Sequence, residues 1–208
     1  MELVLGLAIL IYSAILHEIT HGFVADRLGD PTARLMGRLT LNPRAHIDPM
    51  MSIFLPLLLL LSGSPIIFGA AKPVPVDPFN LREGKKDMAL VALAGPLTNV
   101  LIAIIAAAIF KFLDIIPILF PSIIGMILIQ IVQYNLLLAI FNLIPIPPLD
   151  GSKVLSVVLS EEQRARYLSL GSVGIFIIFF LLRFPIGPFH LGDIIFRLLQ
   201  IGLNALGF

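Results

Sequence analysis

The sequence predicts an all-α polytopic membrane protein with about five to six transmembrane helices, a re-entrant segment and short membrane-associated β-strands. Three observations predict it. The 208 residues are 58% hydrophobic and only 13% charged, about half the charge of an ordinary soluble domain, and their mean hydropathy is +1.03. Apolar residues run in stretches close to the ~20 that a helix needs to cross a bilayer. The polar residues inside those stretches are few, and His17, Glu18 and His21 fall together in the first one.

Each element follows in order. Leu3 to about Leu28 reads as the first span, stopped by Gly29-Asp30-Pro31. Met1-Glu2 has no basic stretch and no small-residue cleavage site follows, so this segment is expected to be a retained helix, not a signal peptide. The alternation Arg38-Leu39-Thr40-Leu41-Asn42 suggests a short strand. Met50 to Leu61 is apolar but short, contains Pro56 and runs into Ser62-Gly63-Ser64-Pro65. Ile66 to Val76 reads as extended, because Pro73 and Pro75 exclude helix and the valines alternate. Asp87 to Phe112, Phe120 to Leu143, Leu168 to Leu182 and Leu191 to Leu206 read as four further spans. There are no internal repeats, and no loop could hold a separate soluble domain. One integral-membrane domain over 1–208 is expected, with a core of about 5–160 and two accessory helices in 165–208.

Charge orients the chain. With the amino terminus outside and 50–68 folded as a re-entrant hairpin, Arg27, Arg34, Arg38, Arg44, Lys72, Arg82, Lys85, Lys86, Lys153, Arg164 and Arg166 all lie inside. Only Lys111 and Arg183 lie outside, with Arg197 in the last span. A full crossing at 50–68 would weaken that bias, so the re-entrant arrangement is preferred. The net charge of +1 argues against nucleic acid as a partner.

His17-Glu18-Ile19-Thr20-His21 is an HExxH sequence. Positions i and i+4 share a helix face, so both imidazoles can reach one metal ion, and Glu18 is near enough to accept a proton from water there. Ionisable groups at membrane depth are costly and therefore read as functional. The chain has no cysteine, so any zinc must be held by histidine and carboxylate. Two histidines leave such a site one ligand short. His46, Asp48, Asp150, His190 and Asp193 are the candidates, and Asp150 is the strongest. It ends the run Asn142-Leu-Ile-Pro-Ile-Pro-Pro-Leu-Asp150-Gly151, whose three prolines break the helix while Gly151 permits a sharp turn. The preferred topology also puts Asp150 at the depth of His17 and His21. Asp48-Pro49 reads as helix-start chemistry, and His190 and Asp193 as interfacial residues on the opposite side.

HExxH in the first span, Ala94-Gly95-Pro96-Leu97-Thr98-Asn99 in a central span and the Asn142–Gly151 run together resemble the site-2 protease family of intramembrane zinc metalloproteases, which is peptidase M50-like. Gly37-Arg-Leu-Thr-Leu-Asn-Pro43, His46-Ile-Asp48-Pro49 and Lys72-Pro-Val-Pro-Val76 look like its small prokaryotic branch, here without room for a PDZ domain. The resemblance spans roughly residues 5–160. It implies one Zn2+ per chain, with His17, His21 and Asp150 as ligands and Glu18 as catalytic base. It places Asn99 and Asn142 near the active site, for substrate or oxyanion binding, although Asn99 could equally knit spans together. His46 is a candidate to support a metal ligand from behind or to contact the metal before substrate arrives. The implied substrates are transmembrane proteins or signal-peptide remnants, cleaved in or near their helices. The implied setting is the cell membrane, multi-pass, with the active site towards the cytoplasmic side.

Two other classes fit parts of the pattern. A membrane metal-ion transporter would spread ligands over several helices and need no glutamate at position 18. A catalytically silent helix-binding protein would need no intact metal set.

Overall fold

The computed structural model describes residues 2–54, 57, 58, 61, 71–115, 122–188 and 190–208. Three long helices organise it: α1 (Glu2–Arg27), α3 (Lys85–Asp114) and α4 (Ser122–Asn142). Between α1 and α3 come the single turn α2 (Thr32–Leu35) and irregular chain. After α4 follow α5 (Asp150–Leu155), α6 (Glu161–Leu168), α7 (Gly171–Arg183) and α8 (Leu191–Leu206).

Lipid tails supply no hydrophobic drive between helices, so close packing of small side chains must hold the bundle. α3 supplies them: Ala103, Ala106 and Ala107 are buried against Leu128, Val132 and Leu136 of α4 and Leu203 of α8. At its other end Val91 of α3 meets Ala25 of α1 and Leu81. Leu7, Ile11 and Phe23 of α1 and Leu97, Leu101 and Ile105 of α3 face outward. Large apolar side chains on the outside cost nothing in hydrocarbon, whereas they would be a liability in water.

Three helices are long and apolar enough to cross a membrane: Val4–Arg27, Lys85–Leu113 and Ile123–Asn142. They are the first three continuous spans expected from sequence. The two expected in the last third form as helices, α8 with the expected bounds Leu191–Leu206 and α7 over Gly171–Arg183, but both are short for a crossing. α7 has 13 residues and α8 has 16, fewer than the ~20 of a perpendicular crossing. Leu168 does not open a span; it closes α6, a polar helix begun by a Ser160–Gln163 capping box.

No β-sheet occurs among the described residues. The alternating stretch 38–42 bends, because its polar groups bond elsewhere. The Arg38 guanidinium reaches the Lys72 and Pro73 carbonyls, the Asn42 N–H donates to Thr40 Oγ1, and the Thr40 carbonyl accepts from His46 Nε2. Such side-chain bonds compete with a strand ladder. Residues 71–77 likewise have no ladder. Pro73 and Pro75 cannot donate, Lys72 N–H donates to the His46 carbonyl and Val74 N–H to Glu18 Oε2. Residues 66–70 and most of the expected re-entrant turn at 50–68 lie outside the described residues; Pro49–Phe54 forms a short π-helix.

Candidate metal centre

α1 carries His17 and His21 one turn apart, their ring centroids 4.5 Å apart and their planes nearly perpendicular. Asp150 arrives from the other end of the chain. α4 ends at Asn142, and the proline-rich turn that follows returns the backbone on itself. Gly151 makes that return possible: a Cβ there would lie 2.2 Å from the Leu143 carbonyl oxygen. Asp150 is thereby buried against the imidazoles, with Oδ2 at 3.1 Å from each Nε2, while Lys153 Nζ holds Oδ1 at 3.1 Å. The two Nε2 atoms are 2.9 Å apart.

The opposite ring nitrogens are occupied. His21 Nδ1 lies 2.6 Å from the Val91 carbonyl, and His17 Nδ1 lies 2.6 Å from Asn99 Oδ1. A carbonyl only accepts, so His21 carries its hydrogen on Nδ1 and turns the Nε2 lone pair inward. Lone pairs of two imidazoles and a carboxylate thus converge in a buried spot, which is repulsive unless a cation lies among them.

The space for a cation is kept by a glycine. A Cβ on Gly95 of α3 would come within 2.5 Å of His21 Nε2 and 2.6 Å of His17 Nε2. Two imidazoles and one carboxylate form the donor set that suits zinc with an open fourth position. A tetrahedral zinc with bonds of about 2.0–2.1 Å wants donors roughly 3.3 Å apart; the triangle found, 2.9–3.1 Å on a side, is within a few tenths of that. The residues present fit the ion.

Glu18 borders the same spot. One carboxylate oxygen accepts the Val74 N–H at 2.8 Å, and the side chain lines a cleft of about 490 Å³. Leu10, Ala14 and His17 of α1, Leu138 and Asn142 of α4, and Leu182 and Ile195 of α7 and α8 complete its walls. The two final helices, to which the sequence assigned no chemistry, therefore enclose the site.

The other candidates separate cleanly. Asn142 lines the cleft, with its amide nitrogen tied back to the Leu138 carbonyl. Asn99 is fully buried, with its amide divided between His17 and Asn135. His46 is buried too, but its ring bonds the Thr40 carbonyl and shares no hydrogen bond with His17, His21 or Asp150. Asp48 Oδ1 accepts the Met50 N–H, as a helix-start residue should. His190 pairs with Asp193 at 3.2 Å and with the Leu182 carbonyl, at the turn between α7 and α8.

Sequence reasoning missed four supporting residues. Ser13 and Asn135 are buried polar groups within apolar spans, a signal that was legible. Arg38 and Asp30 were not legible, because their partners are distant in sequence. Asp30 is fully buried and accepts from Thr32, Asp77 and Asn80. Burial pushes its carboxyl up, but these donors outweigh that and hold it below the usual carboxylate range.

A centre of this composition, set among helices fit for a bilayer, places the chain with the membrane metallopeptidases. Within that class the match is specific: the model of Peptidase family M50 matches residues 5–119 and 118–182. The chain belongs to this family, the site-2 protease family that its motifs resemble. It is similar to a Bacillus subtilis protein named "Putative zinc metalloprotease YwhC", 34% identical over 186 residues, 88% of this chain and 81% of the relative. It is also similar to "Putative zinc metalloprotease Rip2" of Mycobacterium tuberculosis, 36% identical over 156 residues, 74% of this chain. A Methanocaldococcus jannaschii relative, "Putative zinc metalloprotease MJ0611", is 35% identical over 142 residues, 68% of this chain. The matches span 57% and 63% of those last two relatives' lengths. No solved structure matches the chain significantly.

Proposed function

We propose that the chain is an intramembrane zinc metalloprotease that hydrolyses peptide bonds in or near the transmembrane helices of membrane-protein substrates. The observation that carries this reading is the convergence of His17 Nε2, His21 Nε2 and Asp150 Oδ2 beside Glu18 at the wall of an apolar cleft. His17, His21 and Asp150 are the proposed ligands of one Zn2+, and the whole of 1–208 serves as a single domain around it. Bound zinc supplies Lewis acidity, which acidifies water and polarises a scissile carbonyl.

Glu18 is the proposed general base. It takes the proton of the attacking water and delivers it to the leaving amine as the C–N bond breaks. The Val74 N–H occupies one carboxylate oxygen and orients the other towards the reaction. Asn142, which lines the cleft, is the proposed donor to the developing oxyanion or to the substrate backbone, through the amide hydrogen not given to Leu138. A substrate helix has its carbonyls in its own hydrogen bonds, so it must be locally extended before cleavage. The substrates are single-span proteins or signal-peptide remnants. The proposed setting is the cell membrane, with the 27–48 loop and the site towards the cytoplasm, which the distribution of lysine and arginine supports.

Co-expression with a panel of tagged single-span proteins tests the reading. Wild type is expected to release a fragment, and Glu18→Gln and Asp150→Ala are expected to release none. Equal fragment yield from all three would remove the protease assignment.

A further inference from the structure

A polar chain leads away from His17 and comes back to the helix it left. Asn99 of α3 faces the His17 ring at 2.6 Å; its Nδ2 donates to Asn135 Oδ1 of α4 at 2.8 Å; and Asn135 Nδ2 donates to Ser13 Oγ of α1 at 2.9 Å. Ser13 sits one turn before His17, so the chain closes across all three candidate spans. Every member is buried: Ser13 is 5% exposed, His17 5%, and Asn99 and Asn135 0%.

The direction of this chain is fixed at one end. Asn135 Nδ2 also donates to the Ile131 carbonyl at 2.9 Å. A backbone carbonyl has no hydrogen to offer, so the Asn135 atom beside it must be the nitrogen. Both amide hydrogens are then spent, on Ile131 and Ser13, and Asn135 must show its oxygen to Asn99. Asn99 in turn must give that oxygen its nitrogen and show its own oxygen to the His17 ring. An oxygen without hydrogen can only accept, so His17 must hold its proton on Nδ1 and bare Nε2 towards His21 and Asp150. Each step leaves one choice, and each choice is made by the step before it.

We propose that Asn135 and Ser13 are positioning residues that act through Asn99 to set the tautomer and orientation of His17. The inference rests on the reading of His17 as a metal ligand and extends it to residues two and three bonds removed. Partners of this kind raise metal affinity by presenting the correct nitrogen, and losing one costs typically 10- to 100-fold. The closed ring also fastens α1 to α3 and α4, since a hydrogen bond among buried groups in a bilayer has no water to replace it.

The test is zinc affinity of the full chain in detergent, measured by competition with a chromophoric chelator alongside helix content. Asn135→Leu is expected to weaken binding by about 10- to 100-fold, with helicity retained. Asn99→Ala is expected to match it, and the double variant to lose no more than Asn99→Ala alone, since Asn135 acts only through Asn99. Ser13→Ala, a mild change, is expected to lose several-fold and to broaden the signal of the His17 Nδ1-protonated tautomer in 15N spectra. Losses that multiply in the double variant, or wild-type affinity in Asn135→Leu, overturn the proposal. If Asn135→Leu does not fold, Ser13→Ala with wild-type affinity and an unchanged tautomer overturns it instead. A wild-type chain that binds no zinc overturns the metalloprotease reading itself, and the relay with it; zinc bound equally by all variants overturns the relay alone.

Discussion

Gly95 shows how much a single hydrogen decides at this centre. α3 passes so close to the imidazoles that any side chain at 95 must displace them. Alanine favours helix over glycine by about 1 kcal/mol, so Gly95→Ala should leave the helix sound and spoil the site. The expected result is unchanged helicity by circular dichroism with zinc affinity lowered at least about 10-fold, the scale of a disturbed ligand environment; unchanged affinity would mean the rings are free to move aside. Glu18→Gln is the complementary change. It keeps an oxygen for the Val74 N–H and removes the proposed base, so turnover should fall by about 10²- to 10⁴-fold while zinc content stays at the wild-type level. A variant that lost metal and activity together would assign Glu18 to binding.

At the scale of elements, the irregular chain between α1 and α3 works as a strap over Glu18. Arg38 grips the Lys72 and Pro73 carbonyls, His46 the Lys72 N–H through its own carbonyl, and Asp30 the Asp77 N–H. Removing Arg38 takes the donor from the Lys72 and Pro73 carbonyls, at about 0.5–1.5 kcal/mol for each hydrogen bond lost. Arg38→Met should therefore lower the thermal midpoint and turnover with zinc content intact; loss of zinc in step with turnover would contradict this. Asp30 gives the strap a pH dependence. Its carboxyl is held below the usual range when folded, so the stability it adds is complete above the unfolded value of about 3.9 and is lost as pH falls below that towards the folded value. Thermal unfolding between pH 3 and 7 should show this acid decline in wild type and a shallower one in Asp30→Asn. Equal slopes would show that Asp30 is not its source. The strap was the least legible part of the sequence. The alternation at 38–42 has the period of a strand, yet its polar groups are claimed by side chains and by residues some thirty positions away, which a short window does not contain.

For the whole molecule, legibility followed the range of the forces involved. α1, α3 and α4 could be read to within about two residues because long apolar runs and helix stops are local properties. The break between α6 and α7 is a local turn at residues 169–170 inside an otherwise apolar third of the chain, where mean hydropathy does not register it, whereas α8 keeps the expected bounds Leu191–Leu206. HExxH and Asp150 stood out because spacing and helix-breaking prolines mark them, whereas the Ser13–Asn135 contact joins residues 122 positions apart. The bundle that results encloses its polar centre with three membrane-type helices and two shorter ones. Its function depends on whether that centre holds a metal ion. Elemental analysis of the purified, chelator-treated and zinc-repleted chain measures this most directly. One zinc per chain is expected in wild type and in Glu18→Gln, with none retained in His17→Ala or Asp150→Ala. Zinc-free wild-type protein, or equal zinc in the ligand variants, would contradict the account.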